Sequence, residues 1–199
     1  ILHYTEKSKA DIADLSWGKI EEWRELFSEF FRSKEQLTSI KQAKSIALTY
    51  QKKESQFYPH NVIQPIFFQG WIATELGWSL KKVQKNKESL HFFYDRERGE
   101  VDIVLKPSLM KGVPSGRILS VEIKDDLSSH YTFKRNPKCP THIIIEKTTP
   151  TSCLLPMHYV LQGPHLMKSL VKEICHSGTS KHYLRMMSYL LQIKEEDLK

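Results

Sequence analysis

Two periodicities divide the 199 residues of this chain. Near the amino end apolar side chains return every three or four positions, at Ile12, Leu15, Trp17, Ile20, Trp23, Leu26, Phe27, Phe30 and Phe31. That spacing is the buried stripe of an amphipathic helix and predicts one over Ser8–Phe31. Asp11 or Asp14 favours its amino end. Leu37, Ile40, Ala43, Ile46, Ala47 and Tyr50 keep the same period and predict a second helix over Ser33–Tyr50. Tyr58-Pro59-His60 breaks the pattern. Beyond it Val62, Ile63, Ile66, Phe67, Trp71, Ile72 and Leu76 predict a third helix, with Asn61 as N-cap and Gly77 just past its end. Pro65 fits only in the first turn of that helix.

From residue 78 the period drops to two. Trp78–Asn86 and Ser89–Asp95 read as a first strand with its lead-in, Leu90–Tyr94 being rich in strand-formers. Val101, Ile103 and Leu105 alternate with Asp102, Val104 and Lys106; Leu119, Val121 and Ile123 alternate with Ser120, Glu122 and Lys124. Glu122 and Lys124 therefore share a face about 7 Å apart, and direct pairing of the two strands sets Asp102 beside Glu122. A Gly/Pro/Ser-rich loop, Pro107–Arg117, joins them. Capping residues suggest a short helix over Ser128–Arg135, and the apolar run in Thr141–Glu146 a buried strand. Helices follow at His165–His176 and Ser180–Leu191. The organisation is a helical extension (1–60), a core (61–149) and a closing loop with helices (150–199), packed as one unit.

Composition narrows the classes. At 40% hydrophobic and 27% charged the chain is globular rather than disordered. No run approaches eighteen apolar residues, so no membrane helix is expected. The start lacks signal-peptide architecture and an initiating Met, as in a trimmed chain or fragment. Three scattered cysteines, Cys139, Cys153 and Cys175, suggest a reducing, intracellular home. Net charge is +7, and residues 131–199 carry ten basic against five acidic side chains. Such a balance favours polyanionic partners.

Charges on a strand need a reason. Burying them costs several kcal/mol each (roughly) unless they are paired or hold a metal, whereas on a solvent-facing sheet they cost little. Asp102, then nineteen residues, then Glu122-Ile123-Lys124 resembles the D…(D/E)-x-K core of the PD-(D/E)xK nuclease superfamily, with Val101 where the family name has proline. The resemblance implies an α/β, restriction-endonuclease-like mixed sheet flanked by helices, and Mg²⁺-dependent phosphodiester hydrolysis with Mn²⁺ as substitute. Asp102, Glu122 and the Ile123 carbonyl would hold the metal, as hard oxygen ligands do. Lys124 would orient water or stabilise charge. Glu75, or else Gln69 or Gln64, would reach in from the helix.

Nucleic acid, DNA favoured over RNA, is then the expected partner, met by Lys111, Arg117, Lys134 and Arg135. Homodimers are also in keeping with the resemblance. Three alternatives stay open: a non-catalytic binding module of the same fold, a viral-type RNA endonuclease using His60, and a protein-interaction module whose Asp102/Glu122/Lys124 set is a surface salt-bridge network. His91 is a further candidate to assist. Cys139, His142, Cys153 and His158 resemble a zinc set, but a proline within the first pair and a buried strand at His142 argue against one.

Overall fold

A computed structural model describes residues 14–52, 62–161 and 180–193. The predicted helix at His165–His176, the break around His60 and the start of the first helix lie outside those residues.

Helix formation follows the capping chemistry. Asp14 caps α1 (Leu15–Gly18), its carboxylate accepting from the Ser16 amide at 2.7 Å and the Trp17 amide at 3.2 Å. A second helix, α2 (Glu21–Phe30), buries Trp23, Leu26 and Phe27. Ser33 caps α3 (Lys34–Lys41) by accepting from the Gln36 amide. Next comes α4 (Ile63–Leu76), closed by Gly77 at φ 70, the left-handed conformation that glycine adopts without strain. Ser180 caps the last, α5 (Lys181–Leu190).

The predicted Ser33–Tyr50 helix is half right. It stops at Lys41, and Ala43–Gln51 is a strand, β1. The cause is a bulge: Ala43 faces Asp125 of the neighbouring strand and Ser45 faces Lys124, so an extra residue interrupts the alternation. Buried Ala43 and Ile46 thus fall three apart, a helical spacing on an extended chain. Eight more strands follow: β2 (Ser79–Asn86), β3 (Ser89–Arg96), β4 (Gly99–Ser108), β5 (Ile118–Asp125), β6 (His130–Asn136), β7 (Cys139–Thr149), β8 (Ser152–Cys153) and β9 (Met157–Val160). The predicted helix at Ser128–Arg135 is the turn into β6 and β6 itself. Its capping residues serve the turn instead: Asp125 Oδ1 accepts from the Leu127 amide at 3.0 Å and the Ser129 amide at 2.7 Å.

Among the described residues nine strands form one sheet in the order β2-β3-β4-β1-β5-β6-β7-β8, with β9 also on β7. Of these only β1 and β4 run parallel; every other neighbouring pair is antiparallel. Lysines 81, 82, 85 and 87 on or just after β2 suit an edge strand, where charge discourages further pairing. β1 lies between β4 and β5, so the strands carrying Asp102 and Glu122 do not pair. The direct pairing expected from the sequence is replaced by two antiparallel runs, β2-β3-β4 and β5-β6-β7, joined through β1.

One face of the sheet holds the core. Ile46, Leu48, Ile103, Leu105, Val121, Ile123, Tyr131 and Phe133 point into it. Helix α2 supplies rings from above, with Phe27 and Phe30 4.8 Å and 5.0 Å from Phe133. α4 is apolar around most of its circumference, because it lies between the sheet and α5. At Gly70 an added Cβ would meet Leu190 at 3.1 Å and Met186 at 3.2 Å, so glycine lets the two helices approach.

Candidate docking face

Alternation turns the other half of each strand away from the helices. Register builds this opposite face in rows: Phe93, Asp102, Ser45, Lys124 and His130 lie in one, and His91, Val104, Ala47, Glu122, Thr132 and Glu146 in the next. The described helices contribute their buried residues to the core on the other side. Ala47, Thr132, Ile144 and Phe93 are half-buried here, while Glu122, Lys124, Lys134 and Glu146 are exposed.

Each predicted acid meets a histidine from the strand on its outer side. His91 Nδ1 lies 3.1 Å and 3.2 Å from the two Asp102 carboxylate oxygens. Its Nε2 lies 3.2 Å from Ser89 Oγ, which donates to the Asn86 carbonyl at 2.8 Å. His130 Nε2 is 4.0 Å from a Glu122 oxygen. Lys82 Nζ sits 4.4 Å over the Phe93 ring, which stacks beside His91. The two acids stay apart, because two strand spacings separate their backbones by roughly 10 Å and register sets Asp102 level with Lys124 instead of Glu122.

The remaining predicted residues scatter. Ile123 is inside the core. Glu75 lies on α4, across the sheet from Asp102, where His182 Nδ1 is 2.8 Å from its Oε1. Gln69 is buried and accepts the Tyr94 hydroxyl at 2.6 Å; Gln64 is buried too. Burial is the larger reason that the Tyr94 hydroxyl is pushed far above its ordinary range. Lys111 and Lys134 are exposed, whereas Arg117 and Arg135 turn to the helix side and bond backbone carbonyls. Among the described residues no three His, Cys, Asp or Glu side chains are placed to hold a metal ion, neither around Asp102 nor around Cys139 and His142. His130, Ser45 and Ala47 escaped the sequence reading. The signal for Ser45 and Ala47 was the alternation in β1, masked by its bulge; that for His130 was the alternation in β6, a segment read as helix.

Residues 10–185 match the OpcA family, the C-terminal domain of a glucose-6-phosphate dehydrogenase subunit. The chain belongs to this family. Over 118 residues it is 24% identical to the OxPP cycle protein OpcA of Nostoc punctiforme, a stretch covering 56% of this chain and 24% of that protein. Over 67 residues it is 31% identical to the OxPP cycle protein OpcA of Synechococcus elongatus, covering 34% of this chain and 14% of that one. The matches thus span a quarter or less of those curated relatives. In fold, the OpcA-type chain is similar to KijD10, a 3-ketoreductase from Actinomadura kijaniata solved with NADP and TDP-benzene, at a TM-score of 0.58 and 6% identity over 96% of this chain and 64% of that one. The UDP-N-acetylglucosamine 3-dehydrogenase GnnA of Acidithiobacillus ferrooxidans gives 0.53 at 7% identity, over 100% and 66%.

These findings correct the nuclease reading. The large mixed sheet is similar in fold to those two structures and is not restriction-endonuclease-like. Membership of the OpcA family replaces PD-(D/E)xK nuclease and phosphodiester hydrolysis, and with them DNA or RNA as partner. Mg²⁺ and Mn²⁺ fall with that mechanism. Among the described residues no helix is long and apolar enough to cross a membrane.

Proposed function

We propose that this OpcA-type domain is a docking module, binding glucose-6-phosphate dehydrogenase through its open sheet face. The observation that carries the reading is a broad sheet that the described helices cover on one side only. Seven of its strands are seven residues or longer. At about 4.8 Å per strand and about 3.3 Å per residue they offer on the order of 800 Å², the share each partner gives to a standard interface. Its make-up suits a protein partner, with half-buried Ala47, Phe93, Thr132 and Ile144 among charges of both signs. The name of the family supports the choice of partner. Hydride transfer by this sheet itself is less well supported. A dinucleotide crevice of the doubly wound kind needs parallel strands and a Gly-rich turn into a helix, and here one neighbouring pair of strands is parallel. An intracellular location belongs to the same proposal.

The test is Ala47→Arg, at the middle of the face. A long cation there remains solvated in the free chain, so folding stability should change by no more than about 0.5 kcal/mol. Trapped in an interface it is a buried unpaired charge, costing several kcal/mol (roughly). Sedimentation of the chain with its cognate dehydrogenase, and the rate of glucose 6-phosphate oxidation, should register a loss of binding of at least about 100-fold, or roughly 2.8 kcal/mol. Unchanged association by a folded Ala47→Arg variant would rule the face out.

A further inference from the structure

On the helix side, where the α1–α2 junction meets the loop before β5 and the start of β7, lies a cavity of about 170 Å³. Glu22, Val113, Arg117, Arg135, Thr141 and Leu161 are among its lining residues. Its two arginines were expected from the sequence to meet a nucleic-acid backbone; the fold brings them together in one half-open pocket. Arg135 is 6% exposed. Its Nε donates to the Ile118 carbonyl at 2.6 Å and its Nη1 to the Pro140 carbonyl at 2.6 Å. Arg117 Nη1 donates to the Lys19 carbonyl at 2.8 Å.

A guanidinium has five N–H donors and no acceptor, so these three bonds leave most of the pair's donors unused. Among the described residues neither arginine forms an ion pair with a carboxylate. Arg117 Nε and Nη2 and Arg135 Nη2 make none of these bonds and are not among the buried atoms lacking a partner, so these nitrogens reach accessible space. Burial first, and then the Arg117 charge, push the Arg135 guanidinium down to about 10, with Glu22 opposing. Burial lowers Arg117 as well. Both stay cationic at neutral pH, so among the described residues the cavity holds two positive charges against one carboxylate, Glu22.

We infer that this cavity binds a phosphate group, carried free or at the end of a small phosphate ester. Paired guanidinium forks match the oxygens of phosphate in both geometry and charge. By this measure a water takes roughly 10–15 Å³, so the space has room for a phosphate group with water around it. Pockets for whole drug-sized ligands measure about 300–1,000 Å³, which leaves the body of a larger molecule outside. The site lies across the sheet from the docking face and stands without it.

The experiment is calorimetric titration of the intact chain with inorganic phosphate and with glucose 6-phosphate, against sodium chloride at matched ionic strength. Heat of specific binding with either phosphate, absent with chloride, is the expected result, along with a rise in Tm of about 2–4 °C near saturation. Tighter binding of the sugar phosphate identifies an ester site; equal binding identifies a site for the bare phosphate. Arg135→Met removes two carbonyl bonds and endangers folding, so the deciding variant is Arg117→Met, which removes one. Affinity should fall about 10- to 100-fold. Arg117→Lys, keeping the charge but not the fork, should fall between, and Lys111→Ala on the exposed neighbouring loop should bind as the parent does. Phosphate titrations indistinguishable from chloride would overturn the inference. So would equal losses in Arg117→Met and Lys111→Ala, which mark diffuse surface attraction.

Discussion

Phe133 and Thr132 are neighbours in β6 and belong to different worlds. Phe133 is fully buried, its ring 4.8 Å from Phe27, 5.0 Å from Phe30 and 6.0 Å from Phe31. Thr132, on the other side of the same strand, stands half-buried between Glu122 and Glu146. Under the helices the constraint is volume: aromatic rings fill the space between layers. On the open face the constraint is chemistry, because histidines, acids and lysines can remain in water or meet a partner at little cost. The same alternation serves both, so one strand encodes a core and an interface at once.

The sharpest way to break this contrast is to truncate a residue on each side. Phe133→Ala removes a ring from the centre of the aromatic cluster and should cost about 3–5 kcal/mol, cavity included. Urea denaturation measures it as a lower midpoint at unchanged slope. A loss below about 1 kcal/mol would mean that the helices close readily over the gap and that the covered face is less tightly packed than the ring distances indicate.

Asp125 sits at the seam between the two faces and should give the next largest effect. It is 5% exposed, accepts from the Leu127 and Ser129 amides through Oδ1, and receives the Ser39 hydroxyl at 2.5 Å on Oδ2. Tyr131 in turn donates to Ser39 at 2.8 Å. Asp125→Ala strands these donors and should cost about 2–3 kcal/mol, while Asp125→Asn, which keeps acceptors on one oxygen, should recover part of it. Equal losses in the two variants would show that charge, not hydrogen bonding, holds the turn to α3.

How much of this was legible in the sequence depended on whether a local pattern had a local cause. The helix ending at Gly77 was readable because its apolar run, N-terminal proline and closing glycine all act within the segment. The β4 and β5 alternations were equally plain, and so was the shared outward face of Glu122 and Lys124. What sequence could not supply was β1 between them. The bulge at Ala43–Ser45 disguised that strand as helix, and strand order is a long-range property that alternation does not carry. Without β1, Asp102 and Glu122 looked like neighbours, and a short acidic motif then suggested a metal site. Arg117 and Arg135 show the converse: their phosphate-like chemistry was noticed, but only the fold separates them from Lys111 and Lys134.

The smallest effect belongs to the residue that the motif made most prominent. Asp102 is paired with His91 on the open face, with side chains 34% and 22% exposed. Water competes for such a pair, and exposed pairs are worth about 0–1 kcal/mol. Asp102→Asn preserves shape and one acceptor oxygen for the His91 ring, so thermal unfolding should move by no more than about 1 kcal/mol equivalent. Its consequence should emerge in association, where a partner covering the face removes the competing water and makes the lost charge count. A variant whose stability falls by more than about 2 kcal/mol would show instead that the His91–Asp102 pair is part of the fold. The open face would then be half core, and its freedom to serve a partner correspondingly less.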